Sequence, residues 1–321
     1  MTHKQRPLLD YRSEFDSVRD CHYLISNSLG AMPNAAREQA LAYTDIWTRR
    51  GVRSWEDEWW MLSRTVGDRI GRLIGAAPDS VSMQPNVTTA EELIISCMNF
   101  TPERNKVVMV DMEFPSMLYL YRQRLAGLAE LEIIESEDGV SIPLDKLLAA
   151  IDERTALVPI SHVLFRSSYI MDAAAIIKRA HKVGALVALD IFQSIGVVPV
   201  NVAELGADFA VGGALKWLCG GPGACFLYVR PDLIDQLEPR FTGWLAHKNP
   251  VAFDTGAMRY TRGSYRFQTG TPVIPALYTC QAGLEIISEI GVERIRERSN
   301  AMTRRLIDNA DREGWPVTVS R

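Results

Sequence analysis

From about residue 78 onward, short β-rich runs alternate with longer helical patterns. This alternation is typical of crossover units around a mostly parallel sheet, because two parallel strands need a helix-length connection. The predicted strands cover residues 80–83, 106–110, 131–135, 156–160, 185–189, 209–211 and 224–229. Helical periodicity covers residues 90–99, 144–151 and 173–183. The sequence therefore predicts an α/β fold with helices flanking the sheet.

The two ends of the chain differ from this alternating region. Residues 1–60 are predicted to form an N-terminal arm, in which a helix ends at a cluster of three tryptophans, Trp55, Trp59 and Trp60. Residues 61–270 form the predicted large domain. Two further helices are predicted at 276–290 and 292–310, and residues 315–321 resemble the start of a strand. We therefore expect residues 271–321 to be the start of a C-terminal small domain that is incomplete.

Composition narrows the classes of partner. The formal charge of -4 and pI near 5.8 come without a stripe of basic residues, so no nucleic-acid partner is expected. The five cysteines include no C-x-x-C pair, which predicts neither a disulfide framework nor a metal site and favours the reducing cytoplasm. The N-terminus lacks the apolar segment of a signal peptide, and no apolar run is long enough to span a membrane. We expect a small-molecule substrate.

An acid and a lysine follow two predicted strands at their carboxyl ends. Asp190 comes directly after residues 185–189, and Lys216 follows residues 209–211. Because the carboxyl ends of parallel strands meet in one crevice, both side chains are expected to face one ligand. Pyridoxal phosphate (PLP) requires this pair: the lysine binds it as a Schiff base, and the aspartate keeps its pyridine nitrogen protonated. We predict a PLP site with Lys216 as the catalytic residue; a turn-capping aspartate and a solvated lysine are the alternative.

Hydroxyl side chains are candidates for binding the phosphate. Thr88 and Thr89 begin a helix after the first predicted strand, and Thr88 and Glu91 have the spacing of a capping box. The N-terminus of a helix binds phosphate through its free N–H groups and its dipole. Thr271, in the segment R-F-Q-T-G-T-P, is a further candidate. A simple helix cap and an ordinary Gly-Pro turn explain the same residues equally well.

Four more residues are candidates for contacts with the cofactor ring. Phe114 follows the strand at 106–110 and is expected to stack on the pyridine face. His162 follows the strand at 156–160 and is expected to touch the ring or the substrate. Gln193 lies three residues after Asp190, within reach of the phenolic oxygen, and Trp244 offers an indole N–H. A core aromatic, a loop histidine, a loop amide and an interface aromatic are the respective alternatives.

Motifs along nearly the whole chain resemble those of kynureninases and related class-V aminotransferases. Residues 216–223, K-W-L-C-G-G-P-G, are similar to the family's lysine loop Y-K-Y-L-N-G-G-P-G, which is the most specific match. The other matches are N-S-L-G at 27–30, F-P-S at 114–116, S-H-V at 161–163, the aspartate of D-x-x-H at Asp190, G-W at 243–244 and R-F-x-x-G-T-P at 266–272. The chain is therefore identified as a kynureninase-like member of the class-V family.

The resemblance implies a fold-type-I PLP-dependent transferase fold and a homodimer with the active site at the subunit interface. Trp244 and Thr271 would then reach the phosphate bound by the neighbouring subunit. It further implies hydrolytic Cβ–Cγ cleavage of kynurenine to anthranilate and alanine, with Lys216 carrying the α-proton. Family members have a complete small domain that supplies an arginine for the substrate carboxylate, and the chain is expected to end before that arginine.

The chain departs from the kynureninase pattern at three positions. Leu215 stands where the family has tyrosine, Met117 where it has aspartate, and Gln193 where it has histidine; glutamine is common there in cysteine desulfurases and other class-V branches. A class-V aminotransferase or a desulfurase- or β-lyase-like enzyme is therefore an alternative, as is a non-catalytic PLP-fold binding subunit. A nicotinamide dehydrogenase is disfavoured, because no G-x-G-x-x-G follows an early strand.

Overall fold

A computed structural model describes residues 6–317, and a seven-stranded sheet lies at its centre. The strands are β1 (Val81–Gln84), β2 (Lys106–Val110), β3 (Glu130–Ile134), β4 (Thr155–Ser161), β5 (Leu186–Asp190), β6 (Phe209–Gly213) and β7 (Cys225–Val229). Their order across the sheet is β1-β7-β6-β5-β4-β2-β3. All seven predicted strands are confirmed, with boundaries that differ by no more than two residues.

Strand direction determines where a site can form. The neighbours from β3 through β2, β4 and β5 to β6 are parallel, whereas β7 is antiparallel to both β6 and β1. Strands β1 to β6 therefore run in one direction, and their carboxyl ends lie at one edge of the sheet together with the start of β7. The sheet is mostly parallel, as predicted, and the loops at this edge converge.

Helices cover both faces of the sheet. They are α1 (Ala35–Arg50), α2 (Trp60–Leu73), α3 (Val87–Cys97), α4 (Pro115–Leu125), α5 (Leu144–Ala150), α6 (Ala173–Lys182), α7 (Val202–Leu205), α8 (Pro231–Ile234), α9 (Ile274–Ile290) and α10 (Val292–Arg312). Alternate residues of each strand enter different cores: Val108 and Val110 of β2 belong to one, Val107 and Met109 to the other. A strand buried on both faces requires the continuous apolar runs seen in the sequence.

The tryptophan cluster near residue 55 joins three helices. Residues Trp55–Trp59 form a π-helical turn that leads into α2. Tyr43 of α1 stacks on Trp59 with ring centroids 5.6 Å apart, and it lies 5.8 Å from Tyr278 of α9. The N-terminal segment thus packs on α9; the predicted domain boundaries at residues 60 and 270 stay predictions.

Of the strand start predicted at residues 315–321, the structure describes only the first three residues. Residues 315–317 are not in a strand, and the rest of the predicted strand, residues 318–321, lies outside the described residues. Between residues 6 and 317, no helix is both long and apolar enough to cross a bilayer.

Candidate active site

A pocket of about 320 Å³ opens at the edge where the carboxyl ends of the parallel strands meet. Its lining comes from the loops after β1, β2, β4, β5 and β6 and from the start of β7. The lining residues are Pro85, Asn86, Val87, Thr88, Phe114, Ser116, Met117, Ser161, Val163, Phe165, Asp190, Phe192, Gln193, Leu215, Lys216, Pro222, Gly223 and Cys225. Of the residues predicted from sequence, Lys216, Asp190, Gln193, Thr88 and Phe114 meet here.

Asp190 and Lys216 face this pocket from adjacent strands. Asp190 is the last residue of β5 and 8% exposed; its Oδ1 accepts a hydrogen bond of 2.8 Å from the Phe192 N–H. Burial raises the pKa of Asp190 to about 6 and lowers the pKa of Lys216, and the opposite charge of each partner opposes the shift. Within residues 6–317, neither Asp190 Oδ2 nor Lys216 Nζ has a hydrogen-bond partner, so both atoms are free for a ligand.

Two aromatic rings lie close to the lysine ammonium, and a third ring packs against one of them. Lys216 Nζ lies 4.6 Å from the centroid of the Phe192 ring and 5.7 Å from that of Phe114. The Phe114 ring meets Phe165 edge to face at 5.2 Å. Phe192 and Phe165 were not predicted from the sequence. The only signal available was that Phe192 lies two residues after Asp190 and Phe165 lies three residues after His162. The rings form an apolar wall beside the free amine.

The loop that carries Lys216 is held by close backbone packing. The Gly30 N–H donates a 2.9 Å hydrogen bond to Leu215 O, and a Cβ at Gly30 would lie 2.0 Å from Lys216 O. On the other side, a Cβ at Gly283 of α9 would lie 2.0 Å from Leu218 O. Only glycine allows these approaches, so the N-terminal segment and α9 together determine the position of the loop.

Replacing Gly283 by alanine is expected to displace the Lys216 loop, because the new methyl group overlaps Leu218 O. We expect a loss of about 1–3 kcal/mol in the free energy of unfolding. Gly71 of α2 is the matched control: a Cβ there meets its neighbours at ordinary distances of 3.5 Å or more, so G71A is expected to be neutral or stabilising. Urea denaturation measures both variants, and equal stabilities would contradict the prediction.

The N-terminus of α3 forms one end of the pocket. Asn86 is its N-cap: Asn86 Oδ1 accepts hydrogen bonds from the Thr89 N–H at 2.9 Å and from the Thr89 hydroxyl at 3.1 Å. The predicted Thr88–Glu91 capping box is therefore wrong. Glu91 is instead buried and accepts a hydrogen bond of 2.7 Å from the Tyr121 hydroxyl. Thr88 lines the pocket, whereas the Thr89 hydroxyl is engaged by the cap.

Gln193 and His162 have partners within the chain. The Gln193 amide donates to Asn27 O at 3.0 Å, and its Oε1 accepts from the Trp217 indole N–H at 2.9 Å. His162 donates its backbone N–H to Asp190 O at 2.8 Å, but its ring does not line the pocket. Within the described residues its Nδ1 has no partner, and burial lowers the pKa of this ring to about 4. His162 therefore carries a neutral imidazole at pH 7 and is not part of the pocket lining.

Trp244 and Thr271 lie outside the pocket. Trp244 is 39% exposed, and its ring lies 6.1 Å from both Trp60 and Phe253. Thr271 is exposed in the short segment that precedes α9. Contacts of these residues with a phosphate in a second subunit stay predictions.

Two more buried carboxyl groups lie near Asp190. Burial raises the pKa of both Glu91 and Glu113 to about 8, although hydrogen bonds from Tyr121 and Ser161 respectively lower it. The charge on Asp190 contributes to both increases. Both carboxyl groups are therefore mainly protonated at neutral pH.

These groups predict that the protein loses stability as the pH rises from about 6.5 to 8. In the unfolded chain Glu91 has its ordinary pKa of 4.5, so between 4.5 and 8 the native state binds more protons and the free energy of unfolding falls with rising pH. His162 acts in the opposite direction, but only between its values of about 4 and 6.5. E91Q is expected to remove roughly 1–2 kcal/mol of the decrease, measured by urea denaturation at pH 6.5 and 8. An unchanged pH slope would contradict the assignment.

Comparisons with known proteins agree with this geometry. The model of the family "Aminotransferase class-V" matches residues 34–312. The uncharacterized aminotransferase YcbU of Bacillus subtilis (strain 168) is 31% identical over 313 residues, which cover 97% of this chain and 81% of YcbU. A kynureninase of Pseudomonas fluorescens is 32% identical over 313 residues, covering 93% of this chain and 73% of its own length. The kynureninase of Bacillus mycoides (strain KBAB4) is 31% identical over 330 residues, 98% and 77% of the two chains.

Solved structures share the fold. The apo cysteine desulfurase of Thermococcus onnurineus NA1 superposes with a TM-score of 0.86 at 24% identity, covering 100% of this chain and 80% of that one. The cystine C-S lyase C-DES, in complex with cysteine persulfide, gives a TM-score of 0.76 at 19% identity over 86% and 74% of the chains. The predicted fold type I is confirmed. The chain belongs to the class-V aminotransferase family of PLP-dependent enzymes.

Proposed function

We propose that this PLP-dependent enzyme catalyses the hydrolytic Cβ–Cγ cleavage of a kynurenine-type amino acid. The main support is that several relatives, 31–32% identical over more than nine tenths of this chain, are named kynureninase. The pocket supports it, because the rings of Phe114, Phe165 and Phe192 provide apolar contacts suited to an aryl side chain. Kynurenine and water would give anthranilate and alanine.

The residues present fit PLP. Lys216 is the proposed point of covalent attachment, because its Nζ is half-buried, free of hydrogen bonds and reached from the pocket. Asp190 Oδ2 is proposed to hold a proton on the pyridine nitrogen, a role suited to a buried carboxylate without another partner for this atom. Phe114 is proposed to lie against the ring. When bound, PLP supplies an electron sink for the carbanion left by loss of the substrate α-proton.

The phosphate and the phenolic oxygen have separate proposed partners. The N-terminus of α3 offers N–H groups and the positive end of the helix dipole, with Thr88 and Thr89 beside them. Gln193 Nε2 keeps one N–H beyond its bond to Asn27 O, and this N–H is proposed to donate to the phenolic oxygen. His162 does not line the pocket within the described residues, so a contact of its ring with the cofactor stays a prediction.

Lys216 is also proposed to move the substrate proton. Burial lowers the pKa of its amine, so a larger fraction is neutral and able to accept the α-proton near pH 7. The rings of Phe114 and Phe192 place apolar surface beside the amine, with centroids 5.7 and 4.6 Å from Nζ. The protonated Lys216 amine would then act as a general acid and return this proton.

We further propose that the enzyme is a homodimer in the cytoplasm. Trp244 and Phe253 stack on the surface, next to Trp60, and such an exposed aromatic patch favours a protein interface. In the dimer, Trp244 and Thr271 would reach the phosphate of the neighbouring subunit. All five cysteines are free, which is typical of a reducing compartment.

A class-V aminotransferase is the second candidate, and the similarity to YcbU favours it. A desulfurase reaction needs a reactive thiolate, and burial raises the pKa of four of the five cysteines, including Cys225 in the pocket wall, to about 11 or 12. Cys21 is exposed in the N-terminal segment and does not line the pocket. A non-catalytic PLP-fold binding subunit is the third hypothesis.

Incubation of the PLP-loaded protein with kynurenine tests these candidates. Cβ–Cγ cleavage predicts anthranilate fluorescence and an equal amount of alanine. Transamination predicts that a 2-oxo acid is required and that the product keeps the carbon skeleton of the substrate. Absence of anthranilate, together with turnover of another amino acid, would overturn the kynureninase proposal, and absence of any spectral change with amino acids would favour the binding subunit.

A further inference from the structure

We propose that Glu113 is a positioning residue that holds Phe114 in place for the cofactor ring. This inference rests on the proposed stacking role of Phe114. Glu113 lies in the connection between β2 and α4, immediately before Phe114, and is 2% exposed. It does not line the pocket, so any effect on the ring has to pass through its neighbours.

Glu113 binds the end of a different strand at two points. Its Oε1 accepts a hydrogen bond of 2.8 Å from the Ser161 N–H, and its Oε2 lies 2.5 Å from the Ser161 hydroxyl, which donates to it. Ser161 ends β4 and pairs with Asp190 across the β4–β5 register. The two bonds therefore tie the loop after β2 to the strand beside Asp190, at the edge of the sheet where the pocket opens.

Phe114 itself has little to hold it. Its side chain is 46% exposed, and its ring partners are Phe165 and the Lys216 ammonium. It is the N-cap residue of α4, with extended backbone, and makes no side-chain hydrogen bond. An exposed ring with few contacts takes its position from its backbone, and the adjacent Glu113 side chain is the anchor of that backbone to β4.

Glu91 provides a matched comparison. It is also fully buried, its pKa is likewise raised by burial, and it also lies in the field of Asp190. Its hydrogen bond, however, comes from Tyr121 within α4, and it is not adjacent to a ring of the pocket. An effect of general burial or charge would appear in variants of both residues, whereas an effect on the Phe114 ring would appear only for Glu113.

The test measures the PLP dissociation constant by quenching of protein fluorescence and the circular dichroism of the visible cofactor band. E113A is expected to weaken PLP binding about tenfold and to change the visible dichroism, which reports the ring environment. E113Q keeps an acceptor for the Ser161 N–H and a group that bonds its hydroxyl, so it is expected to stay within about twofold of the wild type. E91A is expected to leave the dichroism unchanged.

A double-mutant cycle with F114A decides between positioning and general destabilisation. Because Glu113 acts through the Phe114 ring, E113A is expected to cause no further weakening of PLP binding in the F114A background. Additive effects, or an E113Q variant that behaves like E113A, would overturn the proposal. If E113A does not fold, S161A removes one of the two bonds: a smaller loss that disappears with F114A supports the proposal, and a loss that persists overturns it. A wild-type protein without a visible PLP band would contradict the proposed cofactor site instead.

Discussion

Lys216→Ala is expected to lower turnover by at least about a thousandfold and to prevent covalent attachment of PLP. The physical reason is that Lys216 supplies the only amine among the residues that line the pocket in the described chain. Sodium borohydride should fix PLP to the wild-type protein and leave the variant unlabelled. The variant is still expected to bind PLP non-covalently, because the N-terminus of α3 and Asp190 are unchanged.

Lys182→Ala is the control for this variant, because Lys182 is exposed at the end of α6, away from the pocket. It should label with borohydride as the wild type does. Labelling of the K216A variant at another lysine, with turnover retained, would refute the assignment of Lys216. Mass spectrometry of the reduced protein identifies the labelled peptide.

Asp190→Asn is expected to lower kcat by roughly 10²–10³-fold while the protein stays folded. The asparagine has a similar size but carries no charge, so it cannot stabilise a proton on the pyridine nitrogen. The loss should therefore fall on kcat more than on KM, and the absorption spectrum of bound PLP should change. Steady-state kinetics and a visible spectrum measure the two effects.

Asp208→Asn is the matched control for a buried aspartate. Asp208 is 0% exposed and lies just before β6, at the opposite edge of the sheet from the pocket. Its Oδ2 accepts from the Val187 N–H at 2.8 Å and bonds His181. The variant is expected to lose stability and to keep the spectrum of bound PLP. If D190N and D208N alter kcat equally, Asp190 has no special relation to the cofactor.

Much of the scaffold was predictable because its signals are local. A buried parallel strand requires a continuous apolar run, and residues 106–110 and 156–160 have one. The position of Asp190 and Lys216 at the carboxyl ends of such runs then placed both at one edge, because parallel strands share their direction. The start of a helix after the first strand was predicted, but with the wrong cap, since Thr88, Thr89 and Asn86 all suit that position and only the backbone geometry distinguishes them.

The order of the elements, the parallel sheet and the placement of an aspartate and a lysine at one edge all follow from local patterns of residues. The surroundings of that lysine instead depend on how distant elements pack. Phe192 approaches its amine and Phe165 packs on Phe114 because separate loops converge, and Gly30 and Gly283 support its loop from segments distant in the chain. Glu113 meets Ser161 across 48 residues for the same reason. Such contacts depend on how the elements pack together, and no local pattern of residues encodes contacts between segments so far apart in the chain.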